Sequence, residues 1–218
     1  MNVDNIQRTI SVTGVGRAAA PADILLLDLA VETQAATASE ALAENNRQTA
    51  AVLSALRDQG IQERDIQTNQ LSINPVFARQ DPDDTSTPTI TGYQARNGLS
   101  VRLRDLQGAG AVIDAAVQAG GDSIRIDGIS FSFTDSSGLL VEARKRAIED
   151  GKARAQQLAD GFGVGLGNIT SISESDFSGQ RQFRDFAAVS LAATSISPGE
   201  SEVALQVTVD YEISTQYA

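Results

Sequence analysis

The sequence contains no cysteine, no histidine and no tryptophan, and its one methionine is the first residue. Each absence closes a class of chemistry. Zinc, copper and haem sites built on Cys or His ligands are excluded within a single chain of this composition. Thiol catalysis and nucleophilic triads with a histidine base are excluded on the same ground. A chain without cysteine has no thiols to manage in an oxidising compartment, a property that cytosolic proteins can share. Lysine is nearly missing as well. Lys145 and Lys152 stand among 17 basic residues against 28 acidic ones, for a net charge of −11 and a pI near 4.4. A surface this acidic opposes nonspecific contact with nucleic acid or anionic lipid.

Long hydrophobic runs are absent too. No stretch approaches the roughly 18 apolar residues that span a bilayer, so no membrane span is read. The opening residues MNVDNIQRTI carry neither a basic nor an apolar leader segment. Residues 1–8 therefore read as an N-terminal tail or as the remnant left after removal of a signal, and an ordinary cytosolic start fits equally well.

What is present is an ordinary globular composition: 218 residues, 41% hydrophobic. Thr9 to Gly16 reads as a short strand ending in Gly14 and Gly16. Ile24 to Val31 is the most apolar strand, and Pro21 suits a turn that pairs the two as antiparallel neighbours. A helix follows, capped by Thr37 or Ser39 and ended by Gly60, with a buried stripe of Ala38, Leu42, Asn45, Thr49, Val52, Leu53 and Leu56. Ile66 to Phe77 returns as a strand with Leu71, Ile73 and Phe77 on one side, and Pro75 places it at an edge or near a bulge. Arg79 to Pro88 reads as an exposed, mobile hairpin tip.

From Tyr93 to Leu103 the odd positions are mostly apolar and the even ones polar, basic or small, the period of a strand with one buried face. Tyr93 is expected in the core. Asp105 is expected to cap a helix from Leu106 to Ala119. In the next strand the apolar phase moves from Ile124 and Ile126 to Ile129, Phe131 and Phe133, which predicts a bulge at Asp127–Gly128. The longest helix starts at Ser136 or Ser137 and runs to Asp160. Its small residues Ala143, Ala147, Gly151, Ala155 and Ala159 recur every fourth position, which admits a close neighbour, whether sheet, helix or a second subunit. Ile169 to Glu174 is a weak strand, Ser175 to Gly199 an extended excursion, and Val203 to Ile213 a final alternating strand. The fold class predicted is α+β: a mainly antiparallel sheet with three helices packed on one face, with two sub-lobes as an option around residues 66–104.

No catalytic set, cofactor motif or metal site is read from these residues. Gly161 to Gly167 is glycine-rich, but it follows a helix where phosphate binding needs it to open one, so a helix cap and turn is expected. Asp81, Asp83 and Asp84 match no calcium loop and read as a hydrated turn. Glu142 and Glu149 lie on a helix rich in arginine, where surface pairing is the ordinary outcome. Two groups are singled out as interface candidates. Arg96, Arg102 and Arg104 share a strand face, where they either meet a partner or form cross-strand ion pairs. Phe177, Phe183 and Phe186 interrupt an otherwise polar excursion, as contact aromatics do.

The chain resembles the SIMPL-domain family, a domain of unknown function. The residues that carry the resemblance are Ile10-Ser-Val-Thr-Gly14-Val-Gly16, Gly60-Ile61, Asp65-Ile-Gln-Thr68, Leu71-Ser-Ile73-Asn-Pro75 and Gly92-Tyr93-Gln-Ala95-Arg-Asn97. Arg104-Asp105-Leu106, Ile129-Ser-Phe131, the Ala143 to Ala159 helix and Pro198-Gly199-Glu200 complete the set. They span roughly residues 9 to 214, read as a single domain. Gly151 departs from the pattern, where alanine is expected. The resemblance implies a secreted or periplasmic α+β protein without established catalysis, and with no catalytic set read from the residues neither an enzyme nor a cofactor is expected. Bacterial members include a periplasmic immunogen and an oxidative-stress-associated protein, some resemble ring- or channel-like homo-oligomers, and the mammalian namesake is a signalling adaptor. The expected partners are copies of the chain itself or another protein, with no nucleic acid. A role in oxidative stress would be indirect, since there is no cysteine to oxidise. The alternative expectation is a small-ligand or peptide module with a pocket between the sheet and the long helix.

Overall fold

The computed structural model describes residues 8–78, 88–176 and 199–214. In chain order its elements are β1 (Thr9–Pro21), β2 (Ile24–Ala35), α1 (Ala38–Asp58), β3 (Ile66–Phe77), β4 (Ile90–Leu103), α2 (Ala109–Gly120), β5 (Ile124–Ser132), α3 (Ser137–Phe162), β6 (Gly165–Asp176) and β7 (Glu200–Ser214). The strands form two antiparallel sheets, ordered β1-β7-β6 and β3-β4-β2-β5. The α+β class read from the sequence holds, and the strands divide between two compact units. One contains β1, α3, β6 and β7; the other contains the elements from β2 to β5.

In the three-stranded unit, β1 turns Ile10, Val12, Gly14, Gly16 and Ala18 inward, while β7 contributes Leu205, Val207, Val209 and Tyr211. The small-residue stripe of α3 lies on this surface, with Ala143, Ala147, Gly151, Ala155 and Ala159 all buried. The close neighbour expected of that stripe is thus the sheet, and the contact is backbone on backbone. A Cβ added to Gly14 would stand 2.0 Å from the Ala147 carbonyl oxygen, and one added to Gly16 would stand 1.8 Å from that of Ala143. Polar side chains of α3 then engage alternate backbone groups of β1. The Val15 amide donates to Asp150 Oδ2 at 2.8 Å, Arg146 Nη1 to the Arg17 carbonyl at 2.7 Å, and Arg154 Nη1 to the Thr13 carbonyl at 3.2 Å. Backbone groups held by a helix in this way are closed to a further strand.

In the four-stranded unit, α1 and α2 cover one face of the sheet. Leu25, Leu27, Leu29, Val31, Leu99, Val101 and Leu103 pack there against Val52, Leu56, Val112, Ile113 and Ala116. Thr37 starts α1 with a full capping box, in which Glu40 N donates to Thr37 Oγ1 and Thr37 N donates to Glu40 Oε2, both at 3.2 Å. Buried Asn45 ties the helix to the two central strands: its Nδ2 donates to the Val31 carbonyl at 2.8 Å and to the Ala95 carbonyl at 3.2 Å.

Several expectations are corrected. The first two strands are not hairpin partners, since Pro21 remains in β1 opposite Glu200 and β1 pairs with β7 along its length. A turn signal reports a local change of direction and says nothing about which distant strand completes the ladder. The second helix begins at Ala109, because the Asp105 carboxylate accepts from Gln107 N at 3.0 Å and holds a turn ahead of the helix. The buried stripe of α1 is Ala41, Asn45, Thr49, Val52 and Leu56, with Ala38, Leu42 and Leu53 only half-buried beside it. Tyr93 is half-buried, near the start of β4 and outside the packed cluster. The weak strand is longer than read, at Gly165–Asp176. The bulge is found where predicted: Asp28 faces Gly128 and Leu29 faces Ile126, which leaves Asp127 as the extra residue. Of the expected hairpin tip, residues 79–87 lie outside the described residues, including Asp81, Asp83 and Asp84.

Candidate interaction surfaces

The arginine strip lies on the face of the four-stranded sheet opposite α1 and α2, and most of its charge is paired within the fold. Arg96 sits between Glu32 and Asp127, and Glu32 also meets Arg125, with Nε to Oε2 at 3.3 Å. The bulge is what makes this cluster. The extra residue in β5 lets the Asp127 carboxylate reach Arg96 of β4 across the intervening β2. The hydrogen bond to Asp127, followed by that to Glu32, holds the Arg96 guanidinium above its ordinary pKa, against the opposing effect of burial. Ser100, between Arg96 and Arg102 in sequence, joins Asn69 to Asp28: Asn69 Nδ2 donates to Ser100 Oγ at 2.8 Å, and that hydroxyl donates to Asp28. The strip therefore reads first as cross-strand ion pairing.

Arg104 and Arg102 border a concavity of about 300 Å³ together with Gln59, Asp65, Asp105 and Gly108. It lies where the turn after α1 meets the end of β4 and the start of α2. Arg104 Nη2 bonds Asp65 Oδ1 at 2.9 Å. That bond holds the buried Asp65 carboxyl below its ordinary pKa, outweighing the burial that pushes the other way. Arg102 is exposed at the rim. The lining mixes both signs of charge, Arg102 and Arg104 with Asp65 and Asp105, with the amides of Gln59 and Gln62.

Phe177, Phe183 and Phe186 lie outside the described residues. Glu142 is taken by Arg146 at 3.0 Å, while Glu149 is exposed on the same helix. The glycine-rich segment after α3 is a helix end: Gly163 adopts φ +66° as the cap, and β6 begins at Gly165. Among the described residues no group of three or more acidic side chains is placed to hold a metal ion. No described helix is long and apolar enough to cross a membrane.

Periodicity alone does not reveal the exposed strand edges. β3 is a terminal strand of its sheet and carries Leu71 at 60% exposure and Phe77 at 51%, with Ile73 also open to solvent. β6 ends the other sheet and exposes Ile169 and Ile172. The apolar alternation of β3 is visible in the sequence. Its exposure is not, because α1 and α2 lie chiefly over β2 and β4.

The sequence profile described as "SIMPL: Protein of unknown function (DUF541)" matches residues 10–211. A 26 kDa periplasmic immunogenic protein of Brucella melitensis is 37% identical over 218 aligned positions, covering 94% of this chain and 84% of that protein. The uncharacterized protein YggE of Escherichia coli K12 is 29% identical over 163 positions, covering 75% of this chain and 64% of that protein. A YggE protein of Edwardsiella ictaluri is 26% identical over 181 positions, covering 82% and 74%. With the profile spanning both units and nearly all described elements, the chain belongs to the SIMPL family of proteins of unknown function.

Proposed function

We propose that this chain is a non-enzymatic, exported interaction protein that assembles with copies of itself in the periplasm. The observation that carries the reading is the set of apolar side chains exposed on the terminal strand β3, namely Leu71, Ile73 and Phe77. Open apolar edges of this kind are templates for pairing. The periplasmic setting is supported by the name of the Brucella relative. A contribution to envelope integrity or stress defence would then come from the assembly, since the chain has no thiol to oxidise. Size exclusion coupled to light scattering tests the reading, with a mass above that of the 22.9 kDa chain expected. A clean monomer at tens of micromolar would count decisively against it. Export is tested by fractionating cells that express the full gene.

A second reading, a small-ligand or peptide module, is favoured by the concavity at Asp65, Arg102 and Arg104. The interval between α3 and its sheet, where a pocket is expected from the sequence, is filled by the contact of α3 with Gly14 and Gly16. A thermal-shift screen with carboxylate-bearing small molecules and peptides tests this reading. It fails if no hit is lost on Arg102→Ala.

A further inference from the structure

The two sheets have four terminal strands, and three of them carry features that resist a further strand. The backbone of β1 is engaged by Asp150, Arg146 and Arg154 of α3. β5 is short, at nine residues, is broken by the Asp127 bulge and bears Arg125 and Asp127. β6 has two register breaks against β7 and carries Glu174, which Arg144 of α3 binds. Bulges, charges and covering side chains are the devices by which proteins blunt sheet edges.

β3 is different. It is 12 residues long, IQTNQLSINPVF, without one charged side chain in a chain that is 21% charged. Among the described residues only β4 pairs with it. β3 also has two register shifts, at Thr68/Gln70 and Val76/Phe77, but the first of these and Pro75, opposite Tyr93, leave an uninterrupted run from Gln70 to Asn74 between them. Leu71 and Ile73, opposite Asn97 and Ala95, share the face of the packed core, while Gln70, Ser72 and Asn74 share the opposite face with Arg96 and Gln94.

We propose that the partner of β3 is the β3 strand of a second copy, added antiparallel about a two-fold axis at Ser72. This deepens, and rests on, the reading that the chain self-assembles. Two facts favour a copy over another occupant. In the two-fold register, Leu71 meets Ile73 and Gln70 meets Asn74, so apolar faces apolar and amide faces amide on the two sides of the joined sheet. A chain with a net charge of −11 repels its own copies, and β3 is the terminal strand where two copies meet without opposing like charges. Pairing stops where Pro75, which has no N–H to offer, comes opposite Asn69. The result is one continuous sheet running through both copies, with an isologous interface.

The cysteine-free sequence makes the test direct. Ser72→Cys introduces the chain's only thiol at the axis, where facing Cα atoms in an antiparallel pair are about 4.5–5.5 Å apart, within disulfide range. Ser173→Cys on β6 serves as the control edge. The native full-length chain is first measured by light scattering, and both variants are then oxidised and run on non-reducing gels. The expected result is a native assembly, a covalent dimer for Ser72→Cys, little for Ser173→Cys, and dissociation on the double change Leu71→Lys with Ile73→Lys. If the native chain assembles while Ser72→Cys stays uncrosslinked, or while the lysine pair leaves its mass unchanged, the β3 axis is refuted and self-assembly stands. If the native chain is a monomer at tens of micromolar, both are refuted.

Discussion

Replacing Gly14 by alanine should be among the most damaging single-methyl changes in this protein, whereas the same change at Gly151, directly across the contact, should be harmless. The added Cβ at Gly14 falls 2.0 Å from Ala147 O, 2.4 Å from Gly151 N and 2.8 Å from Gly151 Cα. All three are backbone atoms of α3, so no rotamer change relieves the clash. Restoring an ordinary separation of about 3.5 Å requires the helix to retreat by roughly 1.5 Å, and a gap of even 0.5–1 Å forfeits a quarter to a half of a contact's dispersion energy. Four buried alanines of α3 would lose contact together, and the 2.8 Å Val15–Asp150 hydrogen bond would stretch past its useful length. The expected cost is about 3–4 kcal/mol, at or above the upper end of ordinary overpacking. At Gly151 the added Cβ meets Gly14 N at 3.5 Å and Gly14 Cα at 3.6 Å, which is normal contact. There the helix propensity of alanine dominates, for a gain of about 0.5–1 kcal/mol. Urea unfolding followed by far-UV circular dichroism measures both. A loss under about 1 kcal/mol for Gly14→Ala, or a loss of that size or more for Gly151→Ala, would refute the backbone-on-backbone account of α3.

The other predictions concern the four-stranded unit. Asn45→Ala removes the donor to the Val31 and Ala95 carbonyls and strips Thr49 of its side-chain acceptor; a loss of about 2 kcal/mol is expected by urea titration. Asn45→Asp should be worse at neutral pH, since a carboxylate would face two carbonyl oxygens. Thr37→Ala breaks the capping box and should cost about 1 kcal/mol, with Thr37→Ser restoring most of it. Asp65 has its pKa lowered in the fold by Arg104, so its contribution is present above the ordinary carboxylate pKa of about 4 and is lost as pH falls through the lower folded value. Asp65→Asn should therefore flatten the acid limb of the stability profile below about pH 4, and an unchanged limb would contradict the pairing with Arg104.

Elements whose cause is local are legible in the amino-acid sequence. Thr37 and Glu40 stand at the spacing of a capping box, the four-residue recurrence from Ala143 to Ala159 marks a closely packed helix face, and the phase change at Asp127–Gly128 marks a bulge. The candidate surface is legible only in part. Arg96, Arg102 and Arg104 are visible as a strip, but their meaning depends on Glu32, Asp127 and Asp65, which come from other elements. Asp105 misleads because a side chain that caps a turn has the same sequence signature as one that caps a helix.

Alone, then, the sequence determined the periods, the caps, the exclusion of thiol and imidazole chemistry, and the close approach that a small-residue stripe requires. The tertiary structure decided partner choice. It joined β1 to β7 from opposite ends of the chain, divided the strands between two sheets, closed the β1 edge with α3 and left β3 exposed. The physical reason is one of range. Period and capping are satisfied within one or two turns of chain, whereas a ladder closes over a long loop and is settled only by which apolar faces can be buried together.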